Sequence, residues 1–589
     1  MRKIFISVFI FIFVLFNTGT VLSQQNEEDG KLQKLLEEFL DALWKFQPTA
    51  GTIAGFHKYD NKLEDFSEKN LENRMEELDR FNQELVTKVD RTKMSPEFQI
   101  DHEILMDVLD LERLRHEQLL PWEYDPLFYN TLFINCVRPL LKKEFAPLDT
   151  RAKNATERLK DLPKLIKQAK ENLKTPTLIS TETAIKQFPA VFEIYRTELP
   201  TLASQVPEEQ RSKLLSELGK VIPAMEDYLN FLSNELLPKS TGNFRLGEAH
   251  VRLLRLTLQN NIPIQELVER ARADINNIRR EMALVSAPLY QIMYPDVTID
   301  QLAAQRGEEQ ARQIIIKSVL DKMKGEHASK EEFINHVKST VDEIKEFLTE
   351  KQLVDLPDMD LSIEPMPAEY QGIIWTRLVT PGAYETSGNY TCQVNPLPDD
   401  WSEEKTTSFL EEFNKYMIYF YAVRKIYPGT FVPSFYTNQN STLLRKLYPT
   451  PPLSKAWPVA LEEKLIYQGF GNYDLILRLH QLKLRLKAVT DFITEFQIHE
   501  SNWAKEDAMN YMVRVGLQTE AEAERKWNRI LLIPGDAAYT YVGFQEILDM
   551  EKEYKQLKGD SFSQKEFMNK LLSYGALPLR HLKKKILEQ

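Results

Sequence analysis

The sequence predicts a mainly α-helical protein: a large helical body with one short β segment. Three observations carry that expectation. Apolar residues recur at three- and four-residue steps along most of the chain, the spacing that places them on one face of a helix. Charged residues fill the opposite faces, as solvated helix surfaces do. Helix-breaking and β-branched residues gather in one segment, residues 361–398. No internal repeat of solenoid period accompanies them.

At the start, Arg2 and Lys3 precede an apolar run over residues 4–16, and small or polar residues follow to Ser23 and Gln24. This pattern reads as a secretory signal peptide over residues 1–23, too short and one-sided for a spanning helix. An uncleaved anchor is the alternative. No Cys follows the apolar run, so a lipid on an N-terminal Cys is not expected. The remaining chain has no other long apolar run. The expected location is secreted or periplasmic, without stable membrane insertion once the signal is cleaved.

Residues 24–589 read as one region without a flexible Gly/Ser linker: a helical part over about 24–360 and a cleft-forming part over about 361–589. Leu32, Leu35, Leu36, Phe39, Leu40 and Leu43 form the first helical stripe, and Pro48 closes it. The same periodicity predicts helices over 63–89, 96–119, 150–173, 207–237, 264–282, 330–353, 403–427, 462–498, 505–515 and 520–532. Within 361–398, residues 372–380 and 389–394 read as short strands between turns built on Pro381, Gly382, Gly388 and Pro396. The proline-rich stretch 446–458 reads as a second loop.

The 589 residues are 43% hydrophobic and 28% charged, enough for a large core, and carry a formal net charge of -12. That charge argues against nucleic acid as the main partner, which needs a basic face. The two cysteines, Cys136 and Cys392, are either a disulfide of an exported protein or two buried thiols. They lack the local spacing of a metal site. There is no Gly-x-Ser-x-Gly elbow and no phosphate-cradling glycine loop.

Several blocks then align in order. Pro48-Thr49-Ala50, Gly55-Phe56-His57 and Asp60 open the series. Trp122 to Tyr129 with Asp125-Pro126, and Arg245-Leu246-Gly247, continue it. Pro534-Gly535, Gly543, Gly559-Asp560, Phe562, Phe567 and Gly575-Ala576-Leu577-Pro578-Leu579 close it. Together they resemble the bacterial domain-of-unknown-function family 885. The resemblance implies a zincin-type, secreted metallopeptidase scaffold with a His-Glu-x-x-Pro-Gly-His metal motif. That motif falls on Arg424-Lys425-Ile426-Tyr427-Pro428-Gly429-Thr430.

Pro428 and Gly429 stand, but Arg424, Lys425 and Thr430 take the places of the His, the general-base Glu and the second His. The family's Glu-Gly-Trp-Ala-Leu-Tyr block resembles residues 455–460, with Lys455 at the carboxylate-ligand place. Trp457 and the later Glu462 are retained. An Asp-x-Gly-x-His segment resembles residues 495–499 and keeps His499. A family Tyr falls on Thr540, between Tyr539 and Tyr541. The segment 361–398 is then either the edge strand that pairs with a substrate backbone or a plain surface hairpin.

Catalytic zinc needs three neutral or anionic ligands and a water that the Glu deprotonates. A guanidinium has no lone pair to offer, and three cations would repel the ion. Among the nine histidines, His102, His116 and His499 each precede a Glu, yet none has a His four residues on. The sequence therefore points to an exported peptidase-like protein that is inactive as a zinc hydrolase, holds no cofactor and acts by binding a peptide or protein. The alternative is an active metal-dependent peptidase of carboxypeptidase type with a non-standard site. A purely structural partner is the third class. The cations are expected either to line a pocket for a carboxylate or to pair with nearby Glu residues.

Overall fold

The computed structural model describes residues 26–260, 262–371 and 374–588. The expected signal peptide lies outside the described residues. The chain is mainly α, 74% helical, with one three-stranded sheet. The first stripe forms the helix Glu27–Phe46, capped by the Asn26 side chain, which accepts from the Glu28 N–H. Pro48 ends it by starting the next helix, where a missing N–H costs nothing.

The other stripes form Glu68–Lys88, Pro96–Leu114, Leu148–Asn172, Glu208–Asn230, Ile264–Met293 and Phe333–Lys351. Three segments differ from expectation. The predicted 403–427 helix is two, Glu403–Glu412 and Lys415–Lys425. The side chain of Asn414 accepts from the Tyr416 and Met417 amides and restarts the helix there. The stretch 446–458 is not a loop: most of it opens the helix Pro451–Tyr467. Pro451 and Pro452 occupy the first turn, where no amide is bonded, and Pro458 is carried inside. The long 462–498 stripe is interrupted before Leu475–Glu500 by a turn through Gly469 and Gly471, both at positive φ. Periodicity alone also leaves unassigned Pro126–Lys142 and Leu178–Glu193, each interrupted by an interior proline.

The sheet orders its strands β1 (Leu361–Pro365), β3 (Tyr390–Val394), β2 (Thr376–Val379). β1 runs parallel to β3 and β2 antiparallel to it, with Leu378 opposite Cys392. β1 lies outside the two strands read from sequence. Cys392 sits on the central strand and Cys136 in the helix Pro126–Lys142. Both are free, buried thiols whose pKa burial pushes up to about 12, so they belong to packing and not to a disulfide.

One core joins the N-terminal helices, the sheet and the C-terminal helices through residues such as Phe39, Val394, Met417, Trp457 and Leu571. A second lies wholly in the N-terminal half around Phe133, Phe188 and Tyr228. A third packs Ile264–Met293 on Leu475–Glu500. Leu475–Glu500 is buried on almost every side, as expected of a central helix. The helices Pro451–Tyr467 and Asp536–Lys558 pack closely because Gly543 has no side chain: a Cβ there would stand 2.6 Å from the Pro452 carbonyl oxygen. Among the described residues no helix is long and apolar enough to cross a membrane.

Candidate functional site

The Lys415–Lys425 helix ends three residues before Pro428, and the chain folds back over its last turn. The Tyr427 amide donates to the Ala422 carbonyl at 3.0 Å and the Gly429 amide to the Val423 carbonyl at 2.9 Å. The Thr430 hydroxyl then donates to the Lys425 carbonyl at 2.9 Å. Gly429 lies so close to the helix that a Cβ would stand 2.7 Å from the Arg424 carbonyl carbon and the Val423 oxygen. The retained Pro428-Gly429 therefore has a backbone reason of its own, independent of any metal. Gly429→Ala is expected to destabilise the protein by about 1–3 kcal/mol, measured by urea unfolding.

This turn gathers residues that the sequence separates. Arg424 reaches the helix Pro451–Tyr467 and grips Glu462 with two bonds, Nε to Oε2 at 2.5 Å and Nη2 to Oε1 at 3.0 Å. Both side chains are buried. Lys455 stands two helical turns before Glu462 on the same face. Its Nζ pairs with Asp536 Oδ1 at 3.2 Å, and Arg529 Nε takes the other oxygen at 2.9 Å. Asp536 is the first residue of the helix Asp536–Lys558, where the helix dipole favours a negative charge. Burial alone would raise its pKa, but Lys455 and Arg529 outweigh that and hold the carboxyl well below its usual range.

Lys425 has no such partner. It is half-buried, and among the described residues no carboxylate lies within ion-pair distance of it. Repulsion from Lys455, reinforced by burial, pushes its pKa well below the ordinary lysine value, and Asp536 opposes this only in part. Lys526 adds a further cation, itself paired with Asp491.

A zinc ion does not fit this donor set. Arg424, Lys425 and Lys455 are cations, the Thr430 hydroxyl is engaged with a backbone carbonyl, and both Glu462 oxygens are taken by Arg424. Trp457, expected to line a cleft, is fully buried, and its indole N–H donates to the Met568 carbonyl at 3.3 Å. It is a core residue. Beside this region, Trp375, which precedes the edge strand β2, stacks on Phe413 at 4.9 Å and packs on Tyr421 of the Lys415–Lys425 helix at 5.6 Å. An open groove of about 750 Å³, lined by Glu326, His336, Ser339 and Lys415 among others, lies at the opposite end of that helix.

His499 belongs to a second cluster. Its ring stacks on His250 with centroids 4.4 Å apart, and His250 Nε2 lies 3.3 Å from Glu495 Oε1. His250, Glu495 and His499 offer ligand atoms within 4.8 Å of one another. Their hydrogen bonds engage part of this ligand set. His499 Nδ1 accepts from the Leu246 amide at 3.3 Å, so the neutral ring carries its proton on Nε2, which is buried without a hydrogen-bond partner among the described residues. Glu495 accepts from the Gly535 amide and, at 2.9 Å, from the Ala537 amide. The cluster ties the helices Glu248–Leu258 and Leu475–Glu500 to the turn that presents Asp536. Of the tyrosines flanking Thr540, Tyr541 turns away to Asp274 at 2.9 Å, while the Tyr539 hydroxyl lies over Gly535 in that turn. Thr540 itself lines a small cavity beside Asp274.

The buried histidines set a pH dependence. Burial pushes His480 and His499 down to about 3 and His581 down to about 4. These rings are neutral in the fold and take up a proton on unfolding below pH 6.5, their ordinary value, so each lowers stability as pH falls from there. His250 acts in the opposite sense. Burial would lower its pKa, but Glu495 and Glu500 raise it, so its contribution is complete below pH 6.5 and fades as pH rises through the raised value. Burial lowers His102, His116 and His336 too, so six histidines act against His250 and the raised carboxyls of Asp125 and Glu546, and stability is expected to fall between pH 7 and pH 5, by at most about 1.4 kcal/mol per pH unit for each neutral histidine. Urea unfolding across that range checks it.

Asp536 and Arg529, which anchor Lys455, carry no motif of their own. The only sequence signal is that Asp536 follows the Pro534-Gly535 block directly. The fold agrees with what the chain is similar to. It belongs to the family described as bacterial protein of unknown function, DUF885, which matches residues 48–586. A solved candidate lipoprotein of unknown function from Shewanella oneidensis is 25% identical, covering 94% of this chain and 99% of that one, with a TM-score of 0.78. A second candidate lipoprotein, from Colwellia psychrerythraea, is 15% identical over 95% of this chain and 99% of that one, with a TM-score of 0.72, a likeness of fold. No curated protein matches the chain.

Proposed function

We propose that this chain is an exported, peptidase-like protein in which binding, of a peptide or protein ligand, has replaced zinc hydrolysis. The observation that carries this is the buried Arg424–Glu462 pair. It fills the first metal-ligand place that the family resemblance assigns, and it consumes the neighbouring carboxylate. A site closed by such a pair has neither a ligand set nor a base for water. Export is supported by the charged and apolar N-terminal pattern and by the candidate-lipoprotein description of the two solved relatives. The competing proposal of a non-standard metal site has the His250–Glu495–His499 cluster as its candidate, but there Glu495 is already held by the Gly535 and Ala537 amides and His499 Nδ1 by the Leu246 amide.

Elemental analysis of the gently purified protein, with a peptidase assay with and without chelator, tests the reading. Less than a tenth of an equivalent of zinc, together with no chelator-sensitive hydrolysis, is the expected result. One tightly held zinc per chain with chelator-sensitive turnover would sink it.

A further inference from the structure

Half of the exposed large apolar side chains among the described residues fall in two neighbouring segments: Leu284, Ile292, Val297, Tyr467, Tyr473 and Leu475. The two most exposed of these, Ile292 at 78% and Leu284 at 75%, stand on one helix, Ile264–Met293. Two turns separate them, about 12 Å along the axis. Pro288 stands midway and is also exposed. The opposite side of this helix is buried through Ile275, Ile278, Met282 and Tyr290. The helix therefore carries a second apolar row that nothing in the fold covers. Single exposed apolar residues are ordinary, but a row of them marks an interaction surface.

Printed contacts tie the second segment to this row. Glu281 pairs with Arg478 near the start of Leu475–Glu500, while Asp274 and Ile278 share a small cavity with Arg485 and Val489. The two helices thus run antiparallel, and the part of Ile264–Met293 beyond Leu284 passes the start of its neighbour. Arg478 also holds Tyr467: its guanidinium lies 5.2 Å from the ring centroid, and Nη2 donates to the hydroxyl at 3.3 Å. Tyr473 lies over Gly469 in the intervening turn, where a Cβ would stand 2.9 Å from its ring. The tyrosines form a shelf beside the Glu281 end of the row.

The row has the same chemistry read from either end. Four residues to each side of Pro288 stand Leu284 and Ile292. Eight residues out stand Arg280 and, in the turn after the helix, Asp296, both exposed. Arg280 bonds to Asn277 and to the Asn276 carbonyl of its own helix, and among the described residues neither Arg280 nor Asp296 has an ion-pair partner. A second copy laid antiparallel across a two-fold axis at Pro288 sets Leu284 beside the partner's Ile292. It also brings Arg280 toward the partner's Asp296, at both ends at once. Rows of four-residue spacing are the ridges along which helices commonly pack, crossing at about 50°. An anionic membrane suits the face less well. Asp296, Asp300 and Asp474 are exposed around it and repel acidic headgroups.

We propose that this face is a homodimer interface, in which Ile264–Met293 crosses its own copy around a two-fold axis at Pro288, with Tyr467 and Tyr473 closing over the partner's Val297. The assembly is independent of the ligand-binding reading above.

Sedimentation velocity of the intact protein over about 1–100 µM, where modest interfaces dissociate, reads the association. The expected result is a monomer–dimer equilibrium within that range. Leu284→Glu/Ile292→Glu, matched to the wild type by circular dichroism, should weaken it by about tenfold or more. Arg280→Glu and Asp296→Arg should each weaken it by about threefold or more, and the double Arg280→Glu/Asp296→Arg should restore it, because the swap keeps opposite charges facing. Pro288→Cys should form a disulfide-linked dimer under mild oxidation, since the native thiols Cys136 and Cys392 are buried. Leu557→Cys, exposed on another helix, should not. A monomer at every concentration, or a dimer unchanged by Leu284→Glu/Ile292→Glu, would overturn the proposal. A charge swap that fails to restore association, or Pro288→Cys no more cross-linked than Leu557→Cys, would overturn the two-fold pairing. A monomer that sediments with phosphatidylglycerol vesicles, and loses this in Leu284→Glu/Ile292→Glu, would assign the face to a membrane and overturn the dimer.

Discussion

Arg424→Met is expected to destabilise the protein by about 3–5 kcal/mol, because it strands a fully buried carboxylate. Glu462 is 0% exposed, and its two oxygens have the Arg424 guanidinium as their shared donor. Removing one partner of a buried pair costs far more than removing both, since the lone charge keeps its desolvation penalty. The double variant Arg424→Met/Glu462→Leu should therefore recover most of the loss. Urea unfolding of the two singles and the double at pH 7 gives the coupling directly. A loss below about 1 kcal/mol in Arg424→Met would mean that solvent reaches Glu462 and that the pair does not close the site.

The second large effect is a gain. The quadruple variant Arg424→His, Lys425→Glu, Thr430→His and Lys455→Glu should bind one zinc per chain with a Kd below about 1 µM, or about 8 kcal/mol. The fold-back at Gly429 brings positions 424, 425 and 430 to one place, and Glu462 stands beside them on the helix that carries position 455. Without metal, the new carboxylates would face Glu462 and Asp536, so the apo variant should melt below the wild type and recover when zinc is added. Turnover should remain low. Ligating imidazoles depend on outer hydrogen-bond acceptors, whose absence costs roughly 10–100-fold in affinity or activity. Of the tyrosines near position 540, Tyr541 points away to Asp274. Calorimetry and elemental analysis check the binding. A folded variant without zinc would mean that Lys455 does not stand at the ligand place.

The sequence by itself determined the mainly α class, because helical periodicity is a local property that each segment displays alone. The expectation that Arg424, Lys425 and Thr430 cannot bind zinc was also open to sequence alone, since it depends on residue type and not on the fold. The sequence did not determine which partner each cation finds. Arg424 meets Glu462, and Lys455 meets Asp536 from 81 residues away, because three helices pack around one turn. The same packing settled points that local rules misjudge. Pro451 and Pro452 start a helix because the first turn needs no amide donors. Trp457 left the expected cleft for the core because its indole finds the Met568 carbonyl there. Cys136 and Cys392 stay apart because they sit in different cores. That Lys425 lacks a carboxylate partner among the described residues also belongs to the tertiary structure alone: a missing partner becomes visible only once the neighbours have been placed.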